Sequence, residues 1–176
     1  RRRETKRLPE SRSYFGESYF RYCLNDTEVT VRSLNTEATI RFGSEFAENH
    51  LHSGSVTVLR GELGAGKTKL AKGIARYYGL DEDDIASPTY ALVNEYDIEI
   101  GGAATKLYHL DCYRFEKPEE LLELGVEEYL YPKSGITIIE WPERIEAFLP
   151  KQRIEISIEV LSPTERNIMV RISANN

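Results

Sequence analysis

Gly61-Glu62-Leu63-Gly64-Ala65-Gly66-Lys67-Thr68 carries the spacing Gly-x4-Gly-Lys-Thr of a phosphate-binding P-loop. The glycines permit a turn in which successive N–H groups point inward at one anion. The Lys67 ammonium reaches the β- and γ-phosphates, and the Thr68 hydroxyl is placed to ligate Mg2+. The motif has meaning only between a strand and a helix. Ser55-Val56-Thr57-Val58-Leu59-Arg60 precedes it, a β-branched apolar run that predicts the strand. Lys67 to Tyr78 follows, with Leu70, Ile74 and Tyr77/Tyr78 at helical spacing. The phosphate then lies at a helix N-terminus, where orphan N–H groups and the dipole favour an anion. A bare glycine-rich turn needs neither a lysine nor a hydroxyl at those offsets.

Working outward, 176 residues predict one domain with a single sizeable core. The net charge of −6 makes the chain a poor direct binder of nucleic acid, whose affinity rests on cationic contacts to phosphate. No apolar run approaches the ~20 residues of a membrane span. Cys23 and Cys112 stand far apart, with no Cys-x-x-Cys or Cys/His cluster, which argues against structural zinc or a disulfide scaffold and suits a reducing cytosol. Cys112 reads as a small buried side chain.

Residues 1–28 read as a basic and aromatic N-terminal extension, and 29–176 as the P-loop domain. Arg1 to Arg12 carries a net +4, which leaves −10 for the remainder. This stretch reads as a loosely docked arm. With Met169 the only methionine, the start reads as truncated. Tyr14, Phe15, Tyr19, Phe20 and Tyr22 are too dense for a free tail, and residues 14–22 are expected to pack on the domain or on a partner.

Val29 to Leu34 reads as a strand. Asn35 or Thr36 can cap a helix over Glu37 to Glu48, with Ile40, Phe42, Phe46 and Ala47 on one side. Asp81 to Asp84 reads as a solvated acidic loop. Leu92 to Ile98 and Lys106 to Leu110 predict a hairpin turning at Gly101-Gly102. A short acidic helix is expected over Glu119 to Leu124, ending at Gly125. Ile136 to Ile139 predicts a strand buried on both faces. Arg153 to Val160 and Asn167 to Ser173 alternate as an antiparallel edge would. The pattern predicts an α/β, three-layer P-loop NTPase-like fold: a mostly parallel central sheet, antiparallel strands at the edge and flanking helices.

A P-loop needs an acidic partner at the end of a neighbouring strand. Asp111 and Glu140 each terminate an apolar strand, where ligands sit in open α/β sheets. Ser87-Pro88-Thr89-Tyr90 occupies the place of a mobile loop near the γ-phosphate; on spacing alone it reads as a plain turn, with Pro fixing φ and Ser capping.

Taken together, the P-loop, Ser87-Pro88-Thr89-Tyr90, Tyr108-His109-Leu110-Asp111-Cys112-Tyr113-Arg114, Glu119-Glu120-Leu121 with Gly125, and Glu140-Trp141-Pro142-Glu143-Arg144 resemble the TsaE (YjeE) family of small bacterial ATPases. The resemblance spans roughly residues 29 to 173. It implies a cytoplasmic accessory protein that binds and slowly hydrolyses ATP with Mg2+. It implies TsaB and TsaD as partners in threonylcarbamoyl modification of adenosine-37 in tRNAs reading ANN codons. TsaD performs the transfer, so tRNA is met only indirectly, and no membrane is involved. Carried onto this chain, Thr68 and Glu140 ligate Mg2+, and Asp111 acts at the nucleotide, the ion or the water. Thr89 belongs to a switch-like loop. Gly61, Gly64, Ala65, Gly66, Lys67, Thr68 and Lys69 hold the phosphates, with Trp141 beside them. Thr36 and Arg166 match positions near the nucleotide less closely. Lys69 stands where a second small hydroxyl residue is common, but its backbone N–H still serves the phosphate.

Two other functions use the same motifs. A P-loop small-molecule kinase usually brings several arginines on a lid, whereas the region after Asp111 offers Arg114 amid Glu116, Glu119, Glu120 and Glu123. A nucleotide-gated binding module differs from an ATPase only in turnover.

Overall fold

In a computed structural model, the described residues are 19–25, 28–88, 90–117, 120, 125 and 127–172. The expected helix over Glu119–Leu124 lies outside them, apart from Glu120, as do Tyr14, Phe15 and Thr89. No helix among the described residues is long and apolar enough to cross a membrane.

The elements run β1 (Tyr19–Asn25), β2 (Glu28–Ser33), α1 (Thr36–His50), β3 (Val56–Arg60), α2 (Lys67–Tyr77), β4 (Val93–Ile100), β5 (Ala103–Asp111), α3 (Glu127–Leu130), β6 (Ile136–Glu140), β7 (Ile154–Val160) and β8 (Arg166–Ile172). One sheet takes the order β1-β2-β8-β7-β3-β6-β5-β4. Its centre is parallel, with β3 between β6 and β7 and β5 beyond β6. Antiparallel pairs flank that centre on both sides. Residues 19–25 of the N-terminal extension supply the edge strand β1.

Local chemistry explains the boundaries. Asn35 caps α1, its side chain accepting from the Ala38 N–H at 2.8 Å. Gly101 and Gly102, both at positive φ, turn the β4–β5 hairpin. Every residue of β6 is buried, as expected of a strand covered on both faces.

Two apolar clusters sandwich the sheet. On one face, Phe42, Phe46 and Ala47 of α1 and Leu70, Ala71 and Ile74 of α2 pack against Leu107, Ile138 and Ile156. On the other, Leu130, Ile145 and Leu149 cover Val58, Leu110 and Ile139, with Cys112 fully buried among them. The result is the expected three layers. The two helices touch through glycines: a Cβ on Gly73 would lie 1.9 Å from the Ile40 carbonyl oxygen, and one on Gly43 2.4 Å from that of Leu70.

One expectation needs correcting. The last two strands are antiparallel to each other, but they lie inside the sheet, between β3 and β2. Their alternation has another cause. Ile154, Ile156 and Ile158 are buried while Ser157 and Glu159 are exposed, so the pattern reports one uncovered face and not an edge position.

Candidate functional site

The site lies where β3, β5 and β6 end. β3 delivers Gly61, and the chain passes so close to β7 that a Cβ there would sit 2.5 Å from the Ile158 carbonyl oxygen. The loop enters α2 through Gly66 at φ 109°, a conformation that disfavours other residues. Lys67 folds back into this loop. Its ammonium donates to the carbonyls of Gly61 at 2.7 Å and Glu62 at 2.9 Å. Two of its three protons are used, and one remains for an anion. Burial lowers the Lys67 pKa, and Glu140, Glu143 and Asp111 partly offset that shift.

The acidic partners come from register. Asp111 of β5 lies directly opposite Glu140 of β6. The period of two puts both on the sheet face that α2 covers. Asp111 is 2% exposed and Glu140 3%, so both carboxylates need hydrogen-bond partners from the protein. Thr68 Oγ1 lies 2.9 and 3.2 Å from the two Glu140 oxygens. His109 Nε2 lies within hydrogen-bond distance of Glu140 Oε1, at 2.9 Å. Asp111 accepts from the Ser87 hydroxyl on one oxygen and from the Tyr113 N–H, at 2.9 Å, on the other. The structure therefore pairs Thr68 with Glu140 and ties Asp111 to the Ser87 loop. Leu92 closes that loop at a positive φ of 67°, its carbonyl accepting from the Asp111 N–H.

Trp141 follows Glu140 at φ 58°, left-handed backbone that costs a non-glycine residue on the order of 1–3 kcal/mol. The turn brings its ring to 3.7 Å from the Lys67 ammonium and 4.9 Å from the Tyr113 ring. A cation over an indole face is an attractive contact. Arg60, at the end of β3, pairs with Glu146 at 2.6 Å and Glu155 at 3.6 Å. This anchors the segment after Trp141 to β3 and β7.

On the other flank of the loop is a cavity of about 140 Å³. Thr36 and Thr39 of α1, Gly64 to Gly66, Lys69 of α2, and Thr164 and Arg166 of the β7–β8 hairpin line it. Arg166 braces the loop, donating from Nε to the Ala65 carbonyl at 2.8 Å and from NH1 to the Ser162 carbonyl at 2.8 Å.

The structure thus gathers Gly61, Gly64, Ala65, Gly66, Lys67, Thr68, Lys69, Asp111, Glu140 and Trp141 at one edge, with Thr36 and Arg166 across the loop. Thr89 lies outside the described residues. Sequence reasoning gave no role to His109, Thr39 or Thr164. His109 was within reach, because it stands two residues before Asp111 on the same strand face; the other two become neighbours of the loop only through α1 and the final hairpin.

A family model described as "Threonylcarbamoyl adenosine biosynthesis protein TsaE" matches residues 33–168. The tRNA threonylcarbamoyladenosine biosynthesis protein TsaE of Treponema pallidum is 39% identical over 138 residues, 78% of this chain and 96% of that one. Those of Haemophilus influenzae and Bacillus subtilis are 38% and 36% identical, covering 77% and 79% of this chain and 84% and 80% of their own. The crystal structure of YdiB from B. subtilis superposes with a TM-score of 0.65 at 31% identity, covering 83% of this chain and 86% of that chain. The P-loop, the carboxylates at the ends of β5 and β6, and a match along most of the chain lead to one conclusion: this protein belongs to the TsaE family of threonylcarbamoyl adenosine biosynthesis proteins.

Proposed function

We propose that this protein binds ATP with Mg2+ at the P-loop and hydrolyses it slowly to ADP and phosphate. In this reading it is a cytoplasmic accessory ATPase that works with TsaB and TsaD in threonylcarbamoyl modification of adenosine-37 in tRNAs that read ANN codons. The observation that carries the reading is the Thr68 hydroxyl held against the buried Glu140 carboxylate, with the Lys67 ammonium beside them.

That donor set fits a hard divalent ion. Mg2+ takes oxygen ligands, commonly one or two from protein, with phosphates and waters filling the octahedron. Thr68 and Glu140 would hold it, and its charge would neutralise the phosphoryl oxygens during transfer. The chain's own residues supply the rest. Lys67 offers its free proton to the β- and γ-phosphates. Asp111 is fixed in place by the Ser87 hydroxyl and the Tyr113 N–H, beside the position where a water would be oriented. Lys69 and Arg166 line the cavity across the loop without a carboxylate among its lining residues, which suits the remainder of an anionic nucleotide.

Slow turnover has a physical basis. Arg166 is committed to backbone carbonyls, Arg60 to carboxylates, and Arg114 stacks on the Tyr90 ring at 4.1 Å. None of the three is free as an arginine finger, a group worth on the order of 10³-fold or more. A partner that adds a charge or orders the Ser87 loop completes the site.

The test is phosphate release from ATP by the purified protein, alone and with TsaB and TsaD from the same organism. The expected result is slow release alone and at least a several-fold increase with partners. No complex and no stimulation would defeat the accessory role. ATP affinity of Lys67→Ala equal to wild type by calorimetry would defeat the nucleotide site itself.

A further inference from the structure

We infer that His109 is a positioning residue: its Nε2–H fixes the Glu140 carboxylate in the orientation that receives the divalent cation. This rests on the ATP–Mg2+ reading above and adds to it a group outside the ligand set.

The geometry is as follows. His109 is fully buried on β5, on the same sheet face as Asp111 two residues later. It stands diagonal to Glu140 on β6, within side-chain reach across the ladder. Nε2 lies 2.9 Å from Glu140 Oε1. An ionised carboxylate can only accept, so Nε2 carries the proton. Among the described residues Thr68 is the other donor to this carboxylate, and its hydroxyl oxygen is the atom that would turn to the cation. His109 is therefore the contact that does not change when the ion enters. It holds Oε1, the oxygen nearer to Thr68 Oγ1 (2.9 against 3.2 Å), and so fixes the plane in which Oε2 is presented.

A second observation separates this from ordinary core packing. His109 Nδ1 is buried and has no hydrogen-bond partner among the described residues. An imidazole sealed in a core with one unpaired nitrogen is unfavourable, and a leucine of similar volume would avoid that cost. What the imidazole supplies in return is the Nε2 bond to Glu140. Hydrogen bonds of this outer kind set ligand orientation and commonly govern metal affinity by 10–100-fold.

Trp141, the only tryptophan in the sequence, lies against Lys67 and serves as the fluorescence probe for nucleotide. ADP is titrated into wild type, His109→Leu and His109→Gln, first in chelator and then across a Mg2+ series. His109→Leu is expected to keep metal-free ADP affinity within about twofold while raising the Mg2+ concentration for half-maximal effect about tenfold or more. His109→Gln, which returns an N–H donor near the Nε2 position, is expected to recover most of the loss at equal thermal stability. A purely structural histidine predicts the reverse: His109→Leu less stable than wild type, with Mg2+ dependence unchanged. That outcome overturns the inference. If His109→Leu does not fold, folded His109→Gln decides, and a tenfold Mg2+ defect there also overturns it. Wild-type ADP binding indifferent to Mg2+ would instead remove the ATP–Mg2+ reading, and this inference with it.

Discussion

Gly73→Ala offers a test in which two well-understood effects oppose each other. In an exposed helix this change gains about 1 kcal/mol, because alanine loses less backbone entropy than glycine. Here the new Cβ would lie 1.9 Å from the Ile40 carbonyl oxygen and 3.0 Å from the Gly43 Cα. Ordinary contact begins near 3.4 Å, so α1 and α2 must separate by about 1.5 Å. A gap of 0.5–1 Å already forfeits about a quarter to a half of the dispersion well for the atoms involved. The obstacle is main chain on both sides, so no rotamer change relieves it. Overpacking of this kind costs about 1–3 kcal/mol, and the upper end applies. After the propensity gain, the expected net destabilisation is about 2 kcal/mol. For a chain of this size that lowers Tm by about 4–8 °C. Differential scanning calorimetry and urea unfolding measure it directly. Nucleotide affinity should fall as well, since α1 carries Thr36 and Thr39 to the cavity beside Gly66. An unchanged or higher Tm would refute the close helix contact, because propensity alone would then have decided the sign.

Other outcomes are equally definite. Glu140→Ala should weaken Mg2+-dependent ATP binding more than metal-free binding, whereas Asp111→Ala should lower turnover more than affinity; isothermal titration and phosphate release on both variants check this, and equal effects would sink the division of labour. Arg166→Ala removes the brace on the Ala65 carbonyl, and calorimetry should find ATP bound roughly 10- to 100-fold more weakly, in line with about 1.5–3 kcal/mol for a charged hydrogen bond. Burial pushes Tyr78 up to about 12 and raises the Cys112 thiol well above its usual value, so the folded state holds both protons more tightly than the unfolded chain. That stability is complete below the unfolded thiol value of about 8.5 and declines as pH rises towards the folded values. Thermal midpoints should therefore fall between pH 8 and pH 10.5, and less steeply in Tyr78→Phe. In a Cys23→Ser background, Cys112 should stay inert to a thiol reagent until the protein unfolds.

Much of the site could be read from one sequence because parallel strands end at the same edge. A P-loop after β3 and acids closing β5 and β6 must then converge, whatever the connections between them. Which acid meets Thr68 was not readable from the spacing, and only the family resemblance pointed to Glu140. It depends on the stagger that sets Leu59 opposite Glu140, and on how far α2 rolls over the sheet. Alternation identified β7 and β8 as strands with one open face, but an open face says nothing about neighbours, so their interior place was missed. Asn35 and Thr36 were equal candidates for the cap until backbone geometry chose Asn35. The Arg166 brace joins residues 101 apart and has no local signature.

The strand order also has a consequence for how the protein comes into being. β3 obtains its two neighbours from Ile136–Glu140 and Ile154–Val160, and β2 pairs with β8 from the far end of the domain, Glu28 opposite Arg171. A nascent chain that has reached only Gly135 holds the complete Gly61–Thr68 loop beside a strand with neither flank in place. Such distant pairings close slowly, because loop entropy is lost before the contacts form. Nucleotide stabilises only states that bind it. If nucleotide binds this loop, it can therefore act only once the final strands have emerged; before that, the hairpin β4–β5 and the α1–α2 contact are the local structure that the chain can form.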